Sequence, residues 1–152
     1  MADDTIRLRA ATASDTRAIA SLLAALGHPA EPADIPGRLA AIAEEGGAVV
    51  VAVDARGEAL GMISMARHTV PHSPGPIAYI TALVTAGSAR RRGVGQRLVA
   101  HARDWAMEKG CARLTVTSAE HRADAHAFYP ACGMPYTGRR FSVSLDLPGG
   151  EH

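Results

Sequence analysis

The stretch that decides the fold is residues 80–99, which read ITALVTAGSARRRGVGQRLV. Its first residues are apolar or β-branched and predict a β-strand that ends near Thr85. A loop follows, and Gly93-Val94-Gly95 begins a predicted helix. Glycines let a ligand approach the backbone closely, and the free N–H groups and dipole of a helix N-terminus attract anions. The stretch therefore predicts a pyrophosphate site, to which Arg90–Arg92 add positive charge.

Taken alone, a Gly-x-Gly segment at a helix start is also typical of a tight turn with a solvated basic face. Two other glycine motifs are excluded. The P-loop requires Gly, four residues and then Gly-Lys-Ser/Thr, which this stretch lacks, and the dinucleotide fingerprint requires a third glycine at the position of Leu98. A nucleotide-binding protein of unrelated fold is therefore disfavoured.

The composition indicates one globular domain. The 152 residues are 47% hydrophobic and 20% charged, with a formal net charge of +1. So small a charge argues against a general nucleic-acid or membrane-surface role, which needs a broad excess of Lys and Arg. The longest apolar run, residues 48–53, is too short to cross a bilayer, and the acidic N-terminus shows no secretory signal. We therefore expect a cytoplasmic protein in which Cys111 and Cys132 are reduced packing residues.

Hydrophobic periodicity predicts the element order β-α-α-β-β-β-α-β-α-β. The predicted strands cover residues 5–9, 48–53, 60–66, 77–85, 112–117 and 140–147. The predicted helices start near residues 15, 35, 94 and 122, and the first ends at Gly27. The proline-rich residues 70–76 predict an irregular loop. This order predicts an α/β or α+β layout with one mixed sheet, in a single domain of residues 3–147.

Two ordered motifs resemble signatures of the GNAT acetyltransferases. Arg90-x-x-Gly93-x-Gly95 matches their Arg/Gln-x-x-Gly-x-Gly/Ala motif, and residues 125–134, AHAFYPACGM, resemble their Ala-x-x-Phe-Tyr-x-x-x-Gly-Phe segment. A predicted helix and strand separate the motifs, as in that family. The resemblance implies a mostly antiparallel mixed sheet flanked by about four helices, with two central parallel strands that splay apart. It also implies an acyltransferase that uses acetyl-CoA as the acetyl donor.

The resemblance assigns the donor site and two catalytic groups. The main-chain N–H of Leu83 would hold the developing oxyanion, and Tyr129 would protonate the departing thiolate. The pantetheine arm would pair in the gap between residues 80–85 and 114–117. The residues expected to bind acetyl-CoA are Leu83, Val84, Thr85, Arg90, Arg91, Arg92, Gly93, Val94, Gly95, Gln96, Arg122, Ala125 and Tyr129. Tyr129 also fits a core aromatic on a helix face, but its motif favours the acid role.

The sequence defines the acceptor half of the site less well. Many relatives carry a glutamate two residues before the position of Leu83, where this chain has Thr81, which cannot act as a base at neutral pH. Candidate bases are His28, His68, His72 and Glu120, although each histidine also fits a loop or surface position. The residues expected near the acceptor are His28, His68, Tyr79 and Thr81. Pro71 prevents a helix that would align His68 and His72 as ligands, so no metal is expected.

The favoured function is direct acetyl transfer from acetyl-CoA to a primary amine of a small molecule in a ternary complex. The acceptor classes considered are amino acids, polyamines and aminoglycoside-like compounds. Two alternatives stay open: an acyl-CoA-binding module for regulation or sensing, which the missing glutamate would suit, and an N-acetyltransferase that acts on proteins or peptides. The resemblance further suggests a homodimer, whereas no nucleic-acid or membrane partner is expected.

Overall fold

The computed structural model describes residues 5–89, 92–117, 123–138 and 141–145. The strands are Arg7–Ala10 (β1), Ala48–Val53 (β2), Ala59–His68 (β3), Ile77–Thr85 (β4) and Arg113–Val116 (β5). The α-helices are Thr16–Leu26 (α1), Ile35–Glu44 (α2), Val94–Glu108 (α3) and Ala123–Ala131 (α4). The chain forms two compact units, Met1–Val116 and Thr117–His152, and all five strands belong to the first.

The sheet has the order β1-β2-β3-β4-β5, so each strand lies beside its neighbour in sequence. The first four strands pair antiparallel, whereas β4 and β5 pair parallel. Parallel neighbours need a long crossover, and α3 supplies it between these two strands. The predicted mixed, mostly antiparallel sheet is thus confirmed.

The two faces of this sheet are covered by different helices. On one face, α1 and α2 pack on the sheet, and the core there contains Ile19, Leu22, Ile35, Val49, Val51, Val53, Met62 and Val84. On the other face lies α3, which packs against β3 and β4 through an apolar stripe that includes Val94 and the fully buried Leu98. Because side chains alternate along a strand, the β3 residues Gly61, Ile63 and Met65 share the α3 face.

The prediction of a strand over residues 140–147 is wrong for the residues that the structure describes there. Residues 141–145 form no strand, and Phe141, Val143 and Leu145 are 93%, 82% and 70% exposed. Alternating apolar side chains suit a strand, but a strand forms only where its backbone groups find a ladder partner. The segment therefore has the side-chain pattern of a strand without the pairing.

Within the described parts of the chain, no helix is long and apolar enough to cross a membrane. The helix α3 is the longest, at 15 residues, and its exposed face carries charged side chains.

An ion pair fixes the start of α1 to β1. The Asp15 carboxylate accepts two hydrogen bonds from the Arg9 guanidinium, at 2.8 and 2.9 Å, and one from the Thr12 N–H at 2.8 Å. Asp15 is 8% exposed, and the hydrogen bond from Arg9 holds the pKa of its carboxyl below the usual value. At the other end, α1 ends at Gly27 as predicted, and Gly27 adopts the left-handed conformation.

Asp15→Asn should lower the free energy of unfolding by about 1–3 kcal/mol at pH 7, because the Arg9 and Thr12 donors lose a charged acceptor. The pKa of Asp15 is lower in the folded than in the unfolded protein. Its carboxylate therefore stabilises the fold fully above the unfolded pKa of about 3.9, and this stabilisation is lost as pH falls through the folded pKa. The free energies of unfolding of wild type and Asp15→Asn, measured by urea titration, should therefore differ more at pH 7 than near pH 3. Asp34→Asn is the control, because Asp34 is exposed and lies 4.0 Å from Arg38. A stability difference between wild type and Asp15→Asn that does not change with pH would contradict a stabilising role for the charged Asp15 carboxylate.

Candidate active site

The strand β4 has unequal partners on its two edges. Its antiparallel ladder with β3 runs from Ile77 to Thr85. Its parallel ladder with β5 runs only from Ile77↔Arg113 to Ile80↔Val116. The backbone groups of residues 81–85 that point toward the β5 edge therefore have no ladder partner on that edge within the described residues. This opening can accept an extended ligand as if it were another strand.

A β-bulge interrupts β4 just where this opening begins. Ser64 pairs with Ala82, but the next residue of β3, Met65, pairs with Ile80, so Thr81 is an extra residue in β4. An extra residue changes the alternation of side chains between the two faces. Register therefore places Tyr79 on the α1 face and Leu83 on the α3 face, whereas in a regular strand these two residues would share a face. Thr81 itself is exposed.

The start of α3 lies close to the end of β4 in sequence. The residue before the helix, Gly93, has φ +76°, and no side chain caps the helix. The Arg97 N–H donates to the Gly93 carbonyl at 3.1 Å, so the N–H groups of Val94, Gly95 and Gln96 precede the first donor that the helix itself satisfies. A Cβ added at Gly93 would meet only the Gln96 Oε1 atom, at 4.0 Å. These N–H groups lie at the positive end of the helix dipole, an arrangement that suits an anion, and among the described residues no side chain caps them.

Of the arginines that crowd together in sequence, the structure describes Arg92 and Arg97, and both are exposed. Arg90 and Arg91 lie outside the described residues. Arg97 donates a hydrogen bond to the Ile6 carbonyl at 2.8 Å, which ties its guanidinium to the chain before β1. The pKa of Asp54 is lowered chiefly by the Glu58 N–H hydrogen bond, with smaller contributions that include the charge of Arg92.

The helix α4 carries the second sequence motif. Phe128 and Tyr129 are half-buried, and their rings meet edge to face with centroids 5.1 Å apart. The Tyr129 carbonyl accepts hydrogen bonds from the N–H groups of Cys132 and Met134, at 3.0 and 2.9 Å, where the helix ends. Arg122 and Glu120 lie outside the described residues, as does the side chain of Ala125.

Of the residues expected near the acceptor, the structure brings two together. The rings of His68 on β3 and Tyr79 on β4 have centroids 5.5 Å apart at an angle of 50°. His28 is exposed after α1, and His72 is exposed in the loop between β3 and β4, which is irregular as predicted. Among the described residues, no three His, Cys, Asp or Glu side chains lie close enough to hold a metal ion.

Two further residues on the face of this ring pair, Ser64 and Ala82, were not among those predicted from the sequence. They face each other across β3 and β4 at the bulge, on the same face as Tyr79. Neither residue type suggests a binding site by itself, and only the strand register reveals their position.

Gly61→Ala should disturb the junction of β3, β4 and α3. An added Cβ would lie 2.8 Å from the Val84 carbonyl oxygen and 3.1 Å from the Val94 Cγ1 atom, and the backbone oxygen cannot rotate away. We expect the free energy of unfolding to fall by about 1–3 kcal/mol. Gly37→Ala in α2 is the control, because no atom lies within 4 Å of its Cβ position. It should leave stability unchanged or raise it by about 0.5–1 kcal/mol. Equal stability of the two variants in urea titrations would contradict the close contact at Gly61.

Comparison with protein-family models gives one match that covers most of this chain. The model of the acetyltransferase (GNAT) family matches residues 15–134. That range runs from the start of α1 to the end of the second sequence motif.

Curated relatives include two proteins named aminoglycoside N(6')-acetyltransferase type 1. The one from Stenotrophomonas maltophilia is 29% identical over 135 residues, which are 87% of this chain and 88% of that protein. The one from Serratia marcescens is 33% identical over 64 residues, which are 42% of this chain and 44% of that protein.

Solved structures share the fold. An acetyltransferase from Trypanosoma brucei superposes with a TM-score of 0.80 at 21% identity, and the match covers 93% of this chain and all of that one. Identity this low supports the fold alone.

Proposed function

The chain belongs to the acetyltransferase (GNAT) family, and from this premise we propose that it transfers the acetyl group of acetyl-CoA directly to a primary amine of a small molecule. One observation carries the proposal: the β4–β5 ladder stops at Ile80↔Val116, and α3 begins with uncapped N–H groups after a glycine of positive φ. An open strand edge next to an anion-binding helix start suits a ligand with an extended arm and a pyrophosphate. The relatives named as aminoglycoside acetyltransferases support a small amine as acceptor.

Residues Arg90–Gln96 are the proposed cradle for the pyrophosphate of acetyl-CoA. The open space at Gly93 and the free N–H groups of the first turn of α3 suit phosphate oxygens. Val84 and Thr85, at the end of β4, would contact the pantetheine arm. Arg122 and Ala125 complete the proposed set on the strength of their sequence motif. Acetyl-CoA itself supplies the reactive thioester.

Leu83 is the proposed donor to the carbonyl oxygen of the acetyl group. It lies in residues 81–85, where β4 has no β5 partner. A main-chain N–H in this position costs no reorganisation when negative charge develops on the oxygen, and removal of one such donor typically slows a reaction by about 100- to 1,000-fold. Because the donor is backbone, a substitution at Leu83 removes it only if the new residue is proline, which has no main-chain N–H.

The transfer needs two proton movements. The amine nitrogen forms the new C–N bond with its lone pair, the C–S bond breaks, and its electron pair leaves with the sulfur. We assign Tyr129 as the group that gives its phenolic proton to this thiolate and recovers one from solvent, and this assignment rests on the motif at residues 125–134. The nitrogen loses its proton to water, since Thr81 offers only a hydroxyl in the position where relatives carry a glutamate.

The family resemblance also predicts a homodimer. The exposed apolar side chains of Phe141, Val143 and Leu145 offer area for such contact. A cytoplasmic location stays a prediction from the sequence.

A thiol-release assay with acetyl-CoA and a panel of amines tests the function itself. The panel includes amino acids, polyamines, aminoglycosides and a peptide with a free N-terminus. We expect thiol release with at least one small amine and none above background with the peptide. Thiol release with the peptide alone would mean that the acceptor is a peptide or protein and not a small molecule. Tight CoA binding without any thiol release would favour the acyl-CoA-sensing module.

Gly93→Glu should abolish detectable acetyl-CoA binding, because a carboxylate would stand where the pyrophosphate is proposed to lie. Gly110→Glu is the matched control: Gly110 follows the far end of α3 with φ +73°, and its Cβ position is also open. The control introduces the same charge and similar backbone strain, so it should bind acetyl-CoA within about two-fold of wild type. Calorimetric titration with CoA measures the affinity of both variants. Equal affinity of Gly93→Glu and Gly110→Glu would contradict a pyrophosphate site at residues 90–96.

Tyr129→Phe should lower kcat by about ten- to 100-fold and leave the KM for acetyl-CoA within about two-fold. The loss should shrink with an acetyl donor whose leaving group is a weaker base, such as an acetylated aromatic thiol, because such a group needs no proton. Tyr136→Phe makes the same change at an exposed tyrosine of the same unit and should leave kcat unchanged. An unaltered kcat in Tyr129→Phe would assign Tyr129 to packing.

A further inference from the structure

We propose that Tyr79 and His68 form an acceptor platform that selects primary amines carried on a ring. The platform consists of the ring pair together with the small residues Ser64, Ala66 and Ala82 beside it. It deepens the proposed function and rests on it, because it names the class of amine that would reach the acetyl group.

Strand register puts the platform on one face of the sheet. Met62 pairs with Val84, Ser64 with Ala82 and Ala66 with Tyr79. Directly paired residues share a face, and so do alternate residues along β3. Because Met62 and Val84 belong to the core under α1 and α2, the whole set faces that side. His68 continues the same alternation, which agrees with its ring contact to Tyr79.

The bulge at Thr81 is what brings Tyr79 to this face. If Thr81 were instead paired in a regular strand, Tyr79 would lie on the α3 face together with Leu83. With it, Tyr79 and Ala82 share the α1 face although they are three residues apart. The bulge also coincides with the end of the β4–β5 ladder, so the platform begins where the strand edge opens.

The sizes of the side chains give the platform its shape. Ser64, Ala66 and Ala82 have no group beyond the β- or γ-atom, so they keep the sheet surface low. Ser64 is buried at 7% exposed, Ala66, Ala82 and Tyr79 are half-buried, and His68 is exposed, so solute can reach the part of this face that lies nearer the two rings. The two rings bound the low surface on one side. A low floor beside a flat aromatic wall accommodates a ring better than a flexible chain, because a ring stacks without losing internal freedom.

The chemistry of the platform suits the reaction. Aromatic faces attract an apolar ring or the C–H face of a saturated ring without forming an ion pair. The accessible part of the platform offers a phenol and an imidazole, and none of its five residues carries a carboxylate. A carboxylate would hold the amine as an ammonium ion, which lacks the lone pair that the transfer needs. Tyr79 and Ala82 lie opposite Ala66 and Ser64, which are two residues apart on β3, so they are about 7 Å apart along the strand, a span comparable to a small ring.

The test compares amines of equal carbon number. Wild type should show kcat/KM roughly five- to ten-fold higher for cyclohexylmethylamine than for n-heptylamine, and benzylamine should behave like the former. Tyr79→Leu keeps an apolar side chain but removes the flat face, so the ratio should fall to about one through a higher KM for the cyclic amine. Tyr79→Phe should keep the ratio, and His68→Ala should lower it partly. His101→Ala on α3 is the control and should change neither the ratio nor the KM for acetyl-CoA.

Binding measurements keep the platform separate from the reaction. Calorimetry with cyclohexylmethylamine in the presence of CoA should show weaker binding in Tyr79→Leu than in wild type, whether or not turnover is observed. Such weakening without turnover in wild type would support the platform while the proposed function fails. Equal binding by wild type and Tyr79→Leu, a wild-type preference for n-heptylamine, or an equal loss for both amines would overturn the platform.

Discussion

The rest of the site depends on how β4 pairs along its two edges. Over residues 77–80 it is bonded to β3 on one side and to β5 on the other, whereas beyond Ile80 the described residues pair with it only on the β3 side. A backbone N–H or C=O without a partner is costly when buried. The strand therefore offers an edge that a ligand's own amide groups can complete, held rigidly by the full-length ladder to β3.

Three features around the open half of β4 set the geometry of this region. The bulge at Thr81 changes which residues face α1, so that Tyr79 and Ala82 lie together beside Ser64. Beyond the open half, Ala86 donates its N–H to the Leu60 carbonyl at 2.8 Å, which holds the chain against β3 before it reaches α3. Gly61 lets β3, β4 and α3 approach closely at this point. A rigid strand, an open edge and a helix N-terminus are thus combined in one short region.

Local sequence predicted much of this fold because each element has a local cause. Residues 48–53 and 77–85 are rich in β-branched and apolar residues, and both form strands. Gly27 ends α1 in the left-handed conformation because glycine lacks the Cβ that would oppose it. The same reasoning failed at residues 141–145, where alternation is present and pairing is not. Pairing is a property of two segments, and one segment's pattern cannot report it.

The sequence by itself determined the family, the element order and the glycine-rich start of α3, because these follow from motifs and periodicities that lie within short stretches. Only the tertiary structure decided that the β4–β5 ladder stops at Ile80, that Thr81 is an extra residue, and that His68 meets Tyr79. It also decided that the Arg97 guanidinium donates to the Ile6 carbonyl, 91 residues away in sequence. The physical reason is that register and bulges are set by hydrogen bonds between distant segments, and a shift of one residue moves a side chain to the opposite face of the sheet.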